Sequence, residues 1–351
     1  MTFPNIPNHS KEAINRAGQI LAAGASGTKE YEEALIVVNA WRTSHAYPIN
    51  TFISTLRKKV SHYDDPYVAQ RLKRLPTIIN KLNRYPSMHL ARMQDIGGVR
   101  GIVNTIREVR ELQKQYQDKT RFTHELVRED DYISNPKSDG YRGVHLVYKY
   151  NNSLARYGSA AQYKGLLLEL QLRTKLQHTW ATAVETMGTF KGKSFKSHEG
   201  DKDWIEFFAL VGSAFAHVEG TALIPQCATM NALETYEAVA AAESKLRVLE
   251  QIRGLSVAAN AIHTQGIGGY YNLIVLDSSK KTVQIRSYSK AQLQVATSQY
   301  AELEAMNLKD IDLVLVSAGR LKSLKTAYPN YFLDVRDFIE KVEVIIEQVK
   351  E

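Results

Sequence analysis

Cys227 is the only cysteine among 351 residues, which excludes an internal disulfide and any zinc site built from several thiolates. A reducing cytoplasm is the expected compartment. Long apolar runs are also missing. The longest patch, FFALVGSAFAHV (207–218), is shorter than the roughly 20 residues a membrane-spanning helix needs. The opening residues MTFPNIPNHSKEAI have no basic segment followed by an apolar stretch, so neither a secretory leader nor a membrane partner is expected. Internal repeats and low-complexity tracts are absent as well. Acidic residues are the minority, 37 against 45 Lys and Arg, and the formal net charge of +8 favours polyanionic partners, of which nucleotides and nucleic acids are the commonest; charge alone does not choose between them, and no DNA partner is expected.

With 44% hydrophobic residues, the chain can bury either one large core with an appendage or two separate cores. KEAINRAGQILAAG and the longer TKEYEEALIVVNAWRTSHAYPINTFISTLRKKV have helical periodicity, with a break expected near Pro48. PYVAQRLKRLPTIINKLNR (66–84) reads as a basic amphipathic helix interrupted at Pro76. From Met93 the period changes. GGVRGIV, FTHELVRED, VHLVYKY and LLLELQL are strand-like, and the helix TIREVRELQKQYQ follows the first of them. Helical segments resume after Arg173 and end in a single long helix over NALETYEAVAAAESKLRVLEQIRG. A second, smaller unit then begins near TQGIGGYY. It comprises a hairpin (YNLIVLD, TVQIRSYS), a helix, a strand and a last helix, a ββαβα pattern. The expected fold is α+β: a mixed sheet covered by helices over residues 1–225, a helical connector over 226–264 and a small C-terminal domain over 265–351.

Three segments carry potential chemistry. In RMQDIGGVRGI, Asp95 stands at the mouth of a strand and Arg100 lies further along it; turn capping is the plain alternative for Asp95. In LLLELQLRT, Glu169, Gln171 and Arg173 share one face of a strand, which on its own would suit a solvated surface. If the two strands are neighbours, Asp95 and Glu169 converge, and paired carboxylates can hold Mg²⁺ against phosphate oxygens. The third segment supplies Arg71, Lys73, Arg74, Lys81 and Arg84, cations of the kind a triphosphate requires. Between them, DGYRGVHLVYKY places Tyr141 beside Gly140, a mobile perch from which its ring can cover a base while Lys137 and Arg142 reach phosphates or backbone. MGTFKGKS (187–194) imitates a phosphate-binding loop, but Met187 replaces its first glycine and a helix precedes it, so that reading is rejected. The histidines show no metal-ligand spacing, and His178 and Trp180 are expected to pack.

Together, DIGGVRGI, DYISNPKSDGYRGVHLV and LELQLRTKLQHTWATAVE resemble the synthetase domain of the RelA/SpoT family over roughly residues 50–190. The resemblance implies a nucleotidyltransferase-like fold and transfer of pyrophosphate from ATP to a ribose 3′-hydroxyl, with Mg²⁺ as cofactor. Carried over, Asp95 and Glu169 hold the metal, and Glu169 accepts the hydroxyl proton. Arg71, Lys73, Lys81 and Arg100 bind ATP, with Arg107 stacking on adenine. Lys137, Tyr141, Arg142, His145, Gln171 and Arg173 form the acceptor side. No histidine–aspartate hydrolase motif stands ahead of this region, which suggests the small alarmone synthetase type.

One departure concerns the acceptor. Asp130 occupies a place where nucleotide-making members usually carry Lys, and Arg128 is positioned to compensate. YPNY (Tyr328–Tyr331), placed after the ββαβα pattern, resembles the antitoxin region of CapRel-type fusions among toxic small alarmone synthetases, a pseudo-zinc-finger unit. That resemblance implies an autoinhibited enzyme with Tyr328 and Tyr331 as regulatory residues, a phage capsid protein as trigger and the tRNA 3′ CCA end as acceptor. A proline turn whose rings pack on the small core is the alternative for YPNY. Two other readings stay open for the whole chain: a synthetase acting on GDP or GTP to make ppGpp or pppGpp, and a catalytically silent RNA-binding module.

Overall fold

The computed structural model describes residues 5–151, 160–191, 202–257, 261–265, 269–277, 279–280, 282–306, 311–316 and 335–350. Three helices lead: α1 (Lys11–Ala23), α2 (Lys29–Thr43) and α3 (Ala46–Val60). Ser10 caps α1 at its start and Gly24, at φ 78°, ends it, the conformation glycine adopts at least cost. The break between α2 and α3 falls at Ser44 and His45, so Pro48 sits in the first turn of α3, where its missing N–H costs nothing.

The expected helix over residues 66–84 is only half a helix. Tyr67–Leu72 forms a strand, β1, and α4 (Leu75–Arg84) begins with Pro76 in its first turn. The proline marks a beginning where a break was expected. β1 pairs antiparallel with β2 (Gly97–Val103), and that edge of the sheet decided its conformation.

After β2 come α5 (Ile106–Gln117), opened by a Thr105–Glu108 capping box, then β3 (Glu125–Asp131), β4 (Val144–Lys149) and β5 (Leu167–Thr174). The sheet order is β1-β2-β5-β4-β3, with β2 and β5 parallel and the other pairs antiparallel. Leu168, Leu170 and Leu172 of β5 join Phe52, Ile53 and Leu56 of α3 in one buried cluster, which leaves the opposite face of the sheet for polar residues.

A second core gathers α6 (Lys175–Lys191), α7 (Lys202–Glu219), α8 (Ala232–Leu246) and α9 (Val248–Val257). The expected single long helix is divided between α8 and α9 by Arg247, whose φ of 51° places it in the left-handed region. The smaller sheet has strand order β6-β8-β7-β9, from β6 (Ala261–Gln265), β7 (Tyr271–Asp277), β8 (Thr282–Tyr288) and β9 (Ile311–Val316). Its hairpin lies where the sequence pattern put it, and β6 is an added strand, parallel to β8. α10 (Leu293–Ala305) packs on this sheet through Ala296 and Tyr300. The last helix, α11 (Arg336–Glu347), does not. It places Phe338, Ile339, Val342 and Ile345 among Phe207, Phe208, Phe215 and Val239 of the helical core. YPNY and its two tyrosines lie outside the described residues.

Candidate active site

Side chains alternate across a strand, so β5 turns Glu169, Gln171 and Arg173 away from the leucine-lined core. The register extends this surface in two rows: Arg71, Gly98 and Glu169 lie abreast, and Ala69, Arg100, Gln171 and His145 lie abreast. Glycine at position 98 leaves the floor open between Arg71 and Glu169. A cleft of about 330 Å³ stands over these rows; Asp95, Lys73, Lys137, Tyr141 and Glu185 complete its charged and aromatic walls, beside Asp139.

Asp95 enters from the turn just before β2. Lys73 Nζ donates to its Oδ2 at 2.7 Å and Lys81 Nζ to its Oδ1 at 3.0 Å. Burial pushes the Asp95 carboxyl up, but the two ammonium groups outweigh it and hold the group below the usual aspartate range. Glu169 is treated similarly by different partners. Its Oε1 meets His145 Nδ1 at 2.8 Å and its Oε2 accepts from Gln171 Nε2 at 2.7 Å. Burial again opposes ionisation, yet His145 and Gln171 hold this carboxyl well below the ordinary glutamate value. Both groups are carboxylates at neutral pH, and the Glu169 charge is felt at Asp95.

Among the described residues no cluster of three or more His, Cys, Asp or Glu side chains forms a closed metal cage. An oxygen-only pair does fit magnesium, which usually takes one or two protein carboxylates and completes its shell with water and substrate phosphates. The cleft is less basic than the sequence suggested. Arg71, Lys73, Arg100, Lys137 and Arg173 face Asp95, Asp139, Glu169 and Glu185, so an anion entering here competes with carboxylates already paired. Burial, reinforced by the neighbouring Arg173 charge, pushes the Arg100 guanidinium down to about 10, still protonated at neutral pH. Nε and Nη1 of Arg173 are buried without a hydrogen-bond partner, two donors left over on the cleft wall.

Tyr141 is not on a mobile perch. It is 6% exposed, its hydroxyl lies 2.5 Å from His145 Nε2, and Arg173 also donates to that hydroxyl. The Arg173 guanidinium lies 4.9 Å from the ring centroid and the Lys137 ammonium 5.2 Å. Two cations thus already lie against the ring. Gly140, at φ 93°, shapes the turn before it, and Asp139 Oδ1 accepts from Tyr141 N at 2.9 Å.

Three other expected residues are placed apart from the cleft walls. Arg142 is 3% exposed and turns into the helical core, donating to the carbonyls of Gly140, Gly212 and Ala222. It reaches backbone and not substrate. Arg107, on α5, is an 83% exposed side chain paired with Glu111, and it does not line the cleft. Lys81 does not line the cleft and reaches it through Asp95. Arg128, in turn, is engaged by Asp130, with Nε 2.9 Å from Oδ2.

Sequence reasoning missed Asp139 and Glu185. The Asp-Gly turn signal in SDGYRG marks the first. Glu185 carries no local signal, because only the packing of α6 against the sheet brings it to the cleft.

Residues 70–194 match the family model described as the region found in RelA / SpoT proteins. Two curated relatives come from Bacillus subtilis. The chain is 30% identical to GTP pyrophosphokinase YjbM over 128 residues, which is 36% of this chain and 57% of the relative. It is 30% identical to GTP pyrophosphokinase YwaC over 129 residues, 34% of this chain and 57% of that relative. The chain therefore spans a little over half the length of the curated relatives it matches. Among solved structures, small alarmone synthetase 1 from Bacillus subtilis bound to its product pppGpp is similar at a TM-score of 0.42 and 22% identity, covering 55% of this chain and 94% of that one. A GTP pyrophosphokinase family protein from Streptococcus pneumoniae gives 0.41 and 24%, covering 55% and 92%. The similarity to the region found in RelA / SpoT proteins thus begins at residue 70 and stops at residue 194.

Proposed function

We propose that this chain is an ATP-dependent pyrophosphokinase acting on a ribose 3′-hydroxyl. One observation carries the reading: Asp95 and Glu169, far apart in sequence, line a single cleft with Arg71, Lys73, Arg100 and Arg173. In this reading the 3′-oxygen attacks the β-phosphorus of ATP, the bond from that phosphorus to the α,β-bridging oxygen breaks, and AMP departs with the electron pair. Glu169 takes the hydroxyl proton, with His145 and Gln171 holding its orientation. Arg71, Lys73 and Arg100 offset triphosphate charge. Magnesium held by Asp95 and Glu169 would supply further neutralisation of the phosphate oxygens.

For the acceptor, the reading is the 3′ CCA end of tRNA. Its support is Asp130: the carboxylate sits cross-strand from His145 and occupies Arg128, which removes a cation from the side where a 5′-diphosphate would lie. GDP or GTP is the second reading, favoured by the similarity to two GTP pyrophosphokinases. The finer proposal, a toxin restrained by its C-terminal unit and released by a phage capsid protein, is supported by the order of elements after residue 265 and by the YPNY sequence alone.

Full-length protein and a form in which a short bridge joins α9 directly to α11, each with ATP labelled on its γ-phosphate and, in separate reactions, deacylated tRNA and GDP or GTP, test both levels. Label on tRNA is expected. Label only on GDP or GTP rejects the tRNA reading, and no transfer to either rejects the pyrophosphokinase.

A further inference from the structure

We propose that Glu304, carried by α10 of the smaller unit, is a positioning residue for the cleft: its carboxylate caps α4 and so fixes where Lys73 and Lys81 meet Asp95.

α4 starts poorly by its own means. Arg74 at the N-cap makes no side-chain cap hydrogen bond, the first turn has no acidic residue, and Pro76 has no N–H to offer. The amide of Leu75 is therefore a buried donor with no partner inside its own helix, at the positive end of that helix. Glu304 meets it, Leu75 N donating to Oε1 at 2.7 Å across the boundary between the two units. A carboxylate there satisfies the donor and complements the helix dipole together.

Glu304 is itself fixed. Arg42 Nη2 lies 2.5 Å from its Oε2, the Tyr300 hydroxyl donates to Oε1 at 3.0 Å, and the Arg42 guanidinium lies 5.2 Å from the centroid of the Tyr300 ring. Arg42, Tyr300 and Glu304 are all buried. A buried ion pair is by itself weak evidence for stability, since desolvation offsets the attraction. This pair has an additional task, because one of its oxygens is spent on a helix that belongs to the other unit.

From that helix the connection to the cleft is short. Lys73, two residues before Leu75, is tied by its amide to the Ile96 carbonyl at 2.8 Å and by Nζ to Asp95. Lys81, in the second turn, grips the other oxygen of Asp95. The segment from Lys73 to Lys81 thus has three anchors: the Ile96 carbonyl, the Asp95 carboxylate and Glu304. The consequence for ATP rests on the pyrophosphokinase reading, whereas the cap itself does not.

Two double variants of the full chain separate the cap from the ion pair, R42M/E304Q and R42M/E304L. Both abolish the buried charges, but only the glutamine keeps an oxygen for Leu75 N. Hydrogen exchange over residues 75–84 is expected to be at least about fivefold faster in R42M/E304L, the factor that ~1 kcal/mol of lost capping represents. Exchange in β3 and β4 is expected to match between the two, and the dissociation constant for α,β-methylene ATP to rise by a similar factor in R42M/E304L only. Equal exchange in α4 overturns the proposal, as does loss of protection throughout the molecule, which marks a purely structural role. Faster exchange in α4 with unchanged nucleotide affinity overturns the positioning claim. If the unsubstituted protein binds no nucleotide, the pyrophosphokinase reading fails and the exchange comparison alone judges the cap.

Discussion

Gly212→Ala sets two ordinary rules against each other. Gly212 lies inside α7, where alanine is favoured over glycine by about 1 kcal/mol on helix propensity. Burying the new methyl in free space would add at most ~0.8 kcal/mol more. There is no free space. An added Cβ would stand 2.8 Å from the Gly140 carbonyl oxygen and 2.9 Å from the Gly140 Cα. Those atoms are backbone and cannot rotate away. Gly140 is equally confined, since a Cβ there would lie 3.0 Å from the Phe208 carbonyl oxygen and its φ of 93° disfavours any side chain. Relief requires moving α7 from the turn, which pulls Arg142 off the Gly140 and Gly212 carbonyls. Overpacking of this kind costs about 1–3 kcal/mol, and each lost charge-assisted hydrogen bond about 1.5–3 kcal/mol. The clash wins. Urea denaturation should show net destabilisation of about 1–3 kcal/mol. Because the same turn delivers Tyr141, pyrophosphate transfer should fall as well. An unchanged or raised urea midpoint would refute the tight approach of Gly140 to Gly212, and with it the idea that α7 sets the position of Tyr141.

Arg142→Met should lower the unfolding free energy from urea denaturation by about 3 kcal/mol or more, three carbonyls losing a charged donor, and leave acceptor affinity at subdenaturing conditions little changed. A KM effect without a stability loss would return Arg142 to the substrate. Glu169→Gln should reduce labelled transfer by roughly 10²–10⁴-fold, the range for loss of a general base, with a cooperative urea transition retained; comparable turnover would remove Glu169 from the chemistry. Acid should act through the same group. A carboxyl whose folded pKa lies below its unfolded value near 4.5 contributes stability that is complete above that pH and is lost as pH falls towards the folded pKa. The urea midpoint should therefore drop below about pH 4.5, less steeply in Glu169→Gln; parallel acid profiles would contradict the assigned pairing.

The sheet was legible because its strands are short, β-branched or aromatic and separated by turn residues. Alternation alone put Glu169, Gln171 and Arg173 on one face. β1 was not, because VAQRLKRL suits a helical face as well as a strand and only the partner β2 decides. The division at Arg247 had no glycine or proline to announce it. For the site, strand order brought the two carboxylates to one cleft. Local reading misjudged mobility: a tyrosine between two glycines looks loose until α6 and α7 close around it. It also could not foresee that Arg142 points opposite to Tyr141, or that α4 borrows its cap from a residue on α10.

The smaller sheet lies between α9 and α11 in the chain, and both of those helices are embedded in the same hydrophobic cluster. Topologically it is a cassette with two stems, not a pendant tail. The chain enters it from α9 and leaves it into α11, so it is tied to the helical core at both ends. Cutting the chain before β7 would strip Phe338 and Ile339 from around Phe208 and leave a greasy trench, confusing a release of restraint with plain misfolding. An excision that spares α11 and rejoins it to α9 through a short bridge would distinguish the two.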